Sequence, residues 1–161
     1  MKLVELSNLK EAAQKVCVPF KFDNLIYAYN TYLQLSEICD AAKAISLSSV
    51  QIGVSLPLFV ARLADKKYRC FVNMRYQPLV NSTRVSSIES CLSIRDLSTY
   101  KIQRYDIVVV QGQELVVQSG EPQLKEYEER LDGVNAMIFQ HEIDHQNNVL
   151  VSDIGEPINL W

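Results

Sequence analysis

Residues 141–145 read His-Glu-Ile-Asp-His, and this spacing narrows the folds open to the chain more than any other feature. At i and i+4 of a helix the two imidazoles share one face, with Glu142 beside them. They are the only two histidines in the chain. Neutral imidazole is a common ligand for zinc and first-row metals, so HExxH on a helix marks a metal site whose glutamate is placed to move a proton. Val134, Met137 and Ile138 precede His141 and His145 on the same helical period, so the histidines continue an inward apolar stripe and the helix must pack against the core. Asp132-Gly133 opens this helix, with Asp132 as the expected N-cap. A metal held there contributes to folding as well as to chemistry.

The rest of the chain has to build a scaffold around that helix. Over 23–43, Leu25, Ala28, Tyr32, Leu35, Cys39 and Ala42 recur at three- and four-residue intervals, which predicts a helix with one buried face, capped by Asp23 or Asn24. The period then changes. Residues 58–63, 68–72, 101–110 and 114–118 are short β-branched or aromatic runs, the pattern of antiparallel strands. Gln111-Gly112-Gln113 reads as a tight link between two of them, and Tyr76-Gln77-Pro78 as a bend. A last strand is expected over 123–131, although the alternating charge there also suits a solvated helix face. With 161 residues, five glycines, five prolines and no repeat or linker, one domain over 1–161 is expected. The class is α+β: antiparallel sheets packed around a central HExxH helix, with an N-terminal helix.

Composition excludes several functions. A formal charge of −3 and a pI near 5.4 leave no broad basic surface, so extended nucleic-acid binding is a poor reading. No apolar run approaches the roughly 20 residues that span a bilayer, and the first residues lack a signal peptide, so the expected location is the cytoplasm. Cys17, Cys39, Cys70 and Cys91 are widely spaced without a CxxC pair, which fits reduced thiols or one metal ligand better than disulfides.

HExxH supplies two protein ligands where a catalytic site commonly has three and an open position. No further histidine exists, and Asp153 and Glu156 lie close to the end of the chain. Cys91, in Glu89-Ser90-Cys91-Leu92-Ser93, is the stronger candidate.

In these segments the chain resembles the peptide deformylases, whose motifs in chain order are GxGLAAxQ, EGCLS and QHExDH. Gln140-His141-Glu142-Ile143-Asp144-His145 matches the third throughout, and Glu89 to Ser93 matches the second with Ser90 in place of glycine. Ala44-Ile45-Ser46-Leu47-Ser48-Ser49-Val50-Gln51 keeps Leu47 and Gln51 of the first but replaces both glycines and both alanines. Arg95 stands where many members have proline. Only sixteen residues follow His145, which resembles a short member without a long C-terminal helix.

The resemblance implies that Cys91, His141 and His145 ligate one divalent metal, natively Fe(II), with zinc, nickel or cobalt as substitutes. Glu142 would shuttle the proton, while the Gln51 amide and the Leu92 N–H meet the developing oxyanion. Ile45 and Ser46 would lie along the substrate backbone, and Arg104 would pair with Glu89 or Asp144. The implied substrates are N-formylmethionyl peptides and nascent chains, with the ribosome allowed as a partner. Two other functions share these residues: an HExxH metallopeptidase, and a metal-bound module that holds nascent chains without turnover.

Overall fold

The computed structural model describes residues 3, 6–16, 19–21, 23–64, 66–94 and 98–158; Cys17 and Arg95 lie outside them. Helices α1 (Leu6–Gln14) and α2 (Leu25–Ala42) lead into strand β1 (Ser46–Ser48) and a short 3-10 turn over Ser49–Ile52. Strands β2 (Leu58–Arg62), β3 (Tyr68–Pro78), β4 (Arg84–Ser90), β5 (Thr99–Tyr105), β6 (Ile107–Gln118) and β7 (Glu121–Asp132) follow. Helix α3 (Gly133–Gln146), the short α4 (Val151–Ile154) and strand β8 (Glu156–Ile158) complete the order. A five-stranded sheet runs β1-β2-β3-β6-β7 and a three-stranded sheet runs β4-β5-β8, with antiparallel pairing throughout.

The larger sheet is covered on both faces. Because successive side chains alternate, Leu58, Val60, Cys70 and Val72 face Leu35 and Cys39 of α2. Phe59, Ala61 and Phe71 point the other way, onto Ile138, Phe139 and Ile143 of α3. Double coverage explains why Leu58-Phe59-Val60-Ala61 is a continuous apolar run rather than an alternating one. The aromatic contacts are close: Phe139 meets Phe59 edge-on at 5.2 Å between centroids and Phe71 at 4.7 Å. Within α2, Asn24 is the cap, accepting from the Tyr27 N–H at 3.1 Å. Thr31 is buried and Ala42 exposed, so the inward stripe ends one turn earlier than its spacing predicts.

Three expected strand boundaries fail in informative ways. The chain runs unbroken through Gln111-Gly112-Gln113, and the strand expected over 101–110 breaks instead at Asp106. There it leaves the small sheet for the large one, and the Asp106 carboxylate accepts from the Thr83 N–H and both the Ser82 and Thr83 hydroxyls, each at 2.8 Å. Tyr76-Gln77-Pro78 does not bend, because Pro78 closes β3 opposite Val108, at a strand end where its missing N–H costs little. Asp132 is the N-cap residue of α3, as its place before Gly133 predicts, but it makes no capping hydrogen bond; its carboxylate pairs with Arg130 at 3.5 Å.

Gly112 is needed for close approach rather than for a turn. It pairs with Tyr127 beside the irregularity between Val72 and Arg75 in β3. A Cβ there would meet the Met74 sulfur and lie 2.8 and 2.9 Å from the Val72 and Asn73 carbonyl oxygens, backbone atoms that cannot yield like a side-chain tip. Gly112→Ala is therefore expected to lower stability by about 1–3 kcal/mol, read as an earlier urea midpoint. An unchanged midpoint would show that the strands separate freely at this point.

Candidate metal centre

The chain turns the two faces of α3 to different uses. Phe139 and Ile143 fill the core, while Val134, Met137, Ile138, His141 and Glu142 line a cleft of about 390 Å³. Val134 is thus exposed at the cleft rather than buried in the core. Ala44 to Ser46 supply one wall and Ser87 to Leu92 the other. β1 and β4 are edge strands of different sheets, so the cleft lies between two edges with unused backbone groups.

At its floor the Cys91 sulfur and the two histidines converge, with ligand atoms all within 4.8 Å of one another. His145 Nε2 is 3.1 Å from His141 Nε2 and 3.4 Å from Cys91 Sγ. His141 Nδ1 donates to Glu89 Oε2 at 2.8 Å, which fixes the tautomer and leaves Nε2 unprotonated when the ring is neutral. Two imidazole nitrogens and a sulfur then face one point, an arrangement that a divalent cation satisfies. Although burial opposes charge on His141, hydrogen bonds to Cys91 and Glu89 raise its pKa to about 10, while burial and the charge on His141 hold His145 well below the usual imidazole value, so the pair carries a single positive charge. Sulfur with two nitrogens suits Fe(II) or zinc, and the residues present fit such an ion.

Arg104 joins both partners that its sequence left open. Its guanidinium bonds Glu89 at 2.9 and 2.8 Å in a two-pronged contact and also donates to Asp144. Burial on its own would raise Glu89, but Arg104 and His141 outweigh it and hold the carboxyl well below the usual range. Glu142 is 1% exposed, and burial pushes it up to about 7 against the pull of His141 and of a hydrogen bond from Ser46.

Gln51, in the 3-10 turn, accepts from the Ser48 N–H through Oε1 at 2.9 Å and donates through Nε2 to Ser93 at 3.0 Å and Cys91 at 3.4 Å. Leu92 borders the cleft beside Cys91. Ile45 stands at the mouth, but its carbonyl already accepts from the Arg62 N–H at 2.8 Å. By antiparallel alternation the outward backbone groups of this edge belong to Ser46. Asp153 and Glu156 are not brought to the centre; Asp153 bonds Lys10 and the Leu150 N–H.

Sequence reasoning did not find the Ser93 hydroxyl that anchors Gln51, nor the Ser46 hydroxyl on Glu142 at 2.6 Å. It also gave Gln140 no role. That side chain accepts from the Tyr105 N–H at 3.0 Å and donates to its carbonyl at 2.9 Å, tying α3 to β5. A glutamine next to the candidate ligand His141 was the available signal.

The family model for polypeptide deformylase matches residues 3–159. Peptide deformylase 2 of Geobacillus stearothermophilus is 30% identical over 163 residues, covering 92% of this chain and 84% of that protein. Peptide deformylase 2 of Bacillus anthracis is 30% identical over 126 residues, covering 74% of this chain and only 64% of its own length. Among solved structures, the peptide deformylase of Thermotoga maritima superposes with a TM-score of 0.78 at 24% identity, over 97% of both chains. That of Synechococcus elongatus, solved with actinonin, gives 0.77 at 25% identity over 97% of this chain and 80% of its own. A match from residue 3 to residue 159, over a scaffold that brings Cys91 beside His141 and His145, means that this chain belongs to the polypeptide deformylase family, a metal-dependent one.

Proposed function

We propose that the chain removes the N-formyl group from the starting methionine of nascent peptides, releasing formate in the cytoplasm. The observation that carries this reading is the convergence of Cys91, His141 and His145 beside a buried Glu142, at the floor of a cleft bordered by two sheet edges. Cys91, His141 and His145 would hold one divalent ion, Fe(II) by preference, with zinc, nickel or cobalt as substitutes. When bound, such an ion supplies Lewis acidity towards a carbonyl and makes water acidic enough to react near neutral pH.

The chain's own groups do the rest. An extended peptide lies along the Ser46 edge as an added strand, beginning at Ile45, and the apolar side chains of Ile45, Ile88, Val134 and Met137 suit methionine. Glu142 takes a proton from water as the water oxygen bonds the formyl carbon. It returns that proton to the amine nitrogen as the C–N bond breaks, leaving formate and a free α-amino group. The Gln51 N–H that rests on Cys91 at 3.4 Å turns from the sulfur, and together with the Leu92 N–H it donates to the formyl oxygen while negative charge gathers there.

The test is formate release from formyl-Met-Ala-Ser by anaerobically iron-loaded protein, beside chelator-treated protein and an internally quenched unformylated peptide. Release that needs the metal, with the quenched peptide intact, is expected. Cleavage of the quenched peptide without formate would make the chain a metallopeptidase. Neither reaction from folded, metal-replete protein would make it a module that binds nascent chains.

A further inference from the structure

We infer that Ser46 is the positioning residue for Glu142, its hydroxyl fixing which carboxylate oxygen exchanges the proton. The kinetic part of this inference rests on the proposed function; the positioning part does not. Ser46 lies on β1 and Glu142 on α3, and the Ser46 hydroxyl donates to Glu142 Oε1 at 2.6 Å. Glu142 Oε2 is buried and has no hydrogen-bond partner among the described residues. One oxygen is therefore tethered and the other is left for water and for the amine. A free carboxylate turns easily about its last bond, which is a broad two-fold torsion, and would exchange the two oxygens.

The tether survives the whole cycle. A hydroxyl can donate to Oε1 whether Oε2 is bare or carries the transferred proton, more strongly in the first case, so the anchor needs no rearrangement between the two proton transfers. Ser46 also turns its backbone to the cleft, because the carbonyl of its neighbour Ile45 is taken by Arg62. A single residue thus contacts both the seated peptide and the carboxylate that serves it. Glycine, which the family motif has at this position, offers the backbone but no tether.

Ser46→Ala, Ser46→Gly and Ser46→Thr in the full metal-loaded chain test the assignment. Alanine and glycine are expected to lower kcat on formyl-Met-Ala-Ser about tenfold, less than the roughly hundredfold or more that a well-placed acid–base group itself contributes, with KM changed by less than about twofold. Threonine keeps the hydroxyl and suits a strand, so it should restore most of kcat. Metal content should match wild type in all three. Crystal structures of metal-loaded wild type and Ser46→Ala should show Glu142 in one conformer in the first and displaced or split in the second.

A Ser46→Ala protein with wild-type kcat, or with Glu142 unmoved, would overturn the assignment. Absence of formate release from wild type would instead overturn the proposed function, and the Glu142 conformer in Ser46→Ala would then decide the inference alone.

Discussion

Metal-loaded Glu142→Gln protein is expected to release formate roughly a thousandfold more slowly than wild type, within the range that general acid–base groups contribute, while retaining its metal. The amide has the shape of the carboxylate and can still accept from Ser46 through its oxygen, so packing around α3 is kept. It cannot take a proton from water, and it cannot deliver one to the departing amine. Both barriers rise together. Stability should move the other way in the metal-free protein. Burial pushes Glu142 up to about 7 from an ordinary carboxylate value, and an acid whose folded pKa is raised destabilises the native state at every pH above its unfolded value. Gln at 142 should therefore leave thermal stability at neutral pH equal to or above that of wild type. Formate release within a few fold of wild type, at equal metal content, would move the proton shuttle to another residue.

The candidate metal centre was legible in sequence because its geometry is mostly local. Two imidazoles four residues apart on a helix must share a face, whatever the fold. Cys91 was harder: its closeness to the helix depends on β4 lying across the cleft from β1, and only the motif around it pointed there. The strand plan was legible where the larger sheet is buried on both faces, as in Leu58-Phe59-Val60-Ala61. It failed where strand ends were expected, because Gly112, which lies inside β6, has the same local signature whether it makes a turn or lets two backbones pass closely. The true break at Asp106 sits between strand-like residues on both sides, and its cause is three donors from Ser82 and Thr83, more than twenty positions away. The Ser46 hydroxyl on Glu142 was equally hidden. It joins residues 96 positions apart, and a serine within a degenerate motif carries no sign of what its side chain reaches.

The largest stability effect is expected from Arg104→Ala. Arg104 is 3% exposed, and its guanidinium bonds Glu89 twice and Asp144 once. Removing it leaves two largely buried carboxylates near each other without their cation, a loss of about 3–5 kcal/mol for breaking a buried pair. For a chain of this size that corresponds to a fall in Tm of roughly 6–20 °C, at 2–4 °C per kcal/mol. The damage should reach the metal as well. Glu89 holds His141 through Nδ1, and without Arg104 the carboxylate is free to take up a proton or swing away, releasing the imidazole. Loss of such an orienting contact typically weakens metal binding by about 10- to 100-fold. Arg104→Lys should rescue little, because one ammonium cannot reproduce a fork on Glu89 together with a third bond to Asp144. Thermal melts and competitive metal titrations of both variants measure the two effects separately. Wild-type Tm and metal affinity in Arg104→Ala would mean that neither Glu89 nor Asp144 relies on it, and that the packing of β5 against α3 through Gln140 suffices to hold the metal helix in place.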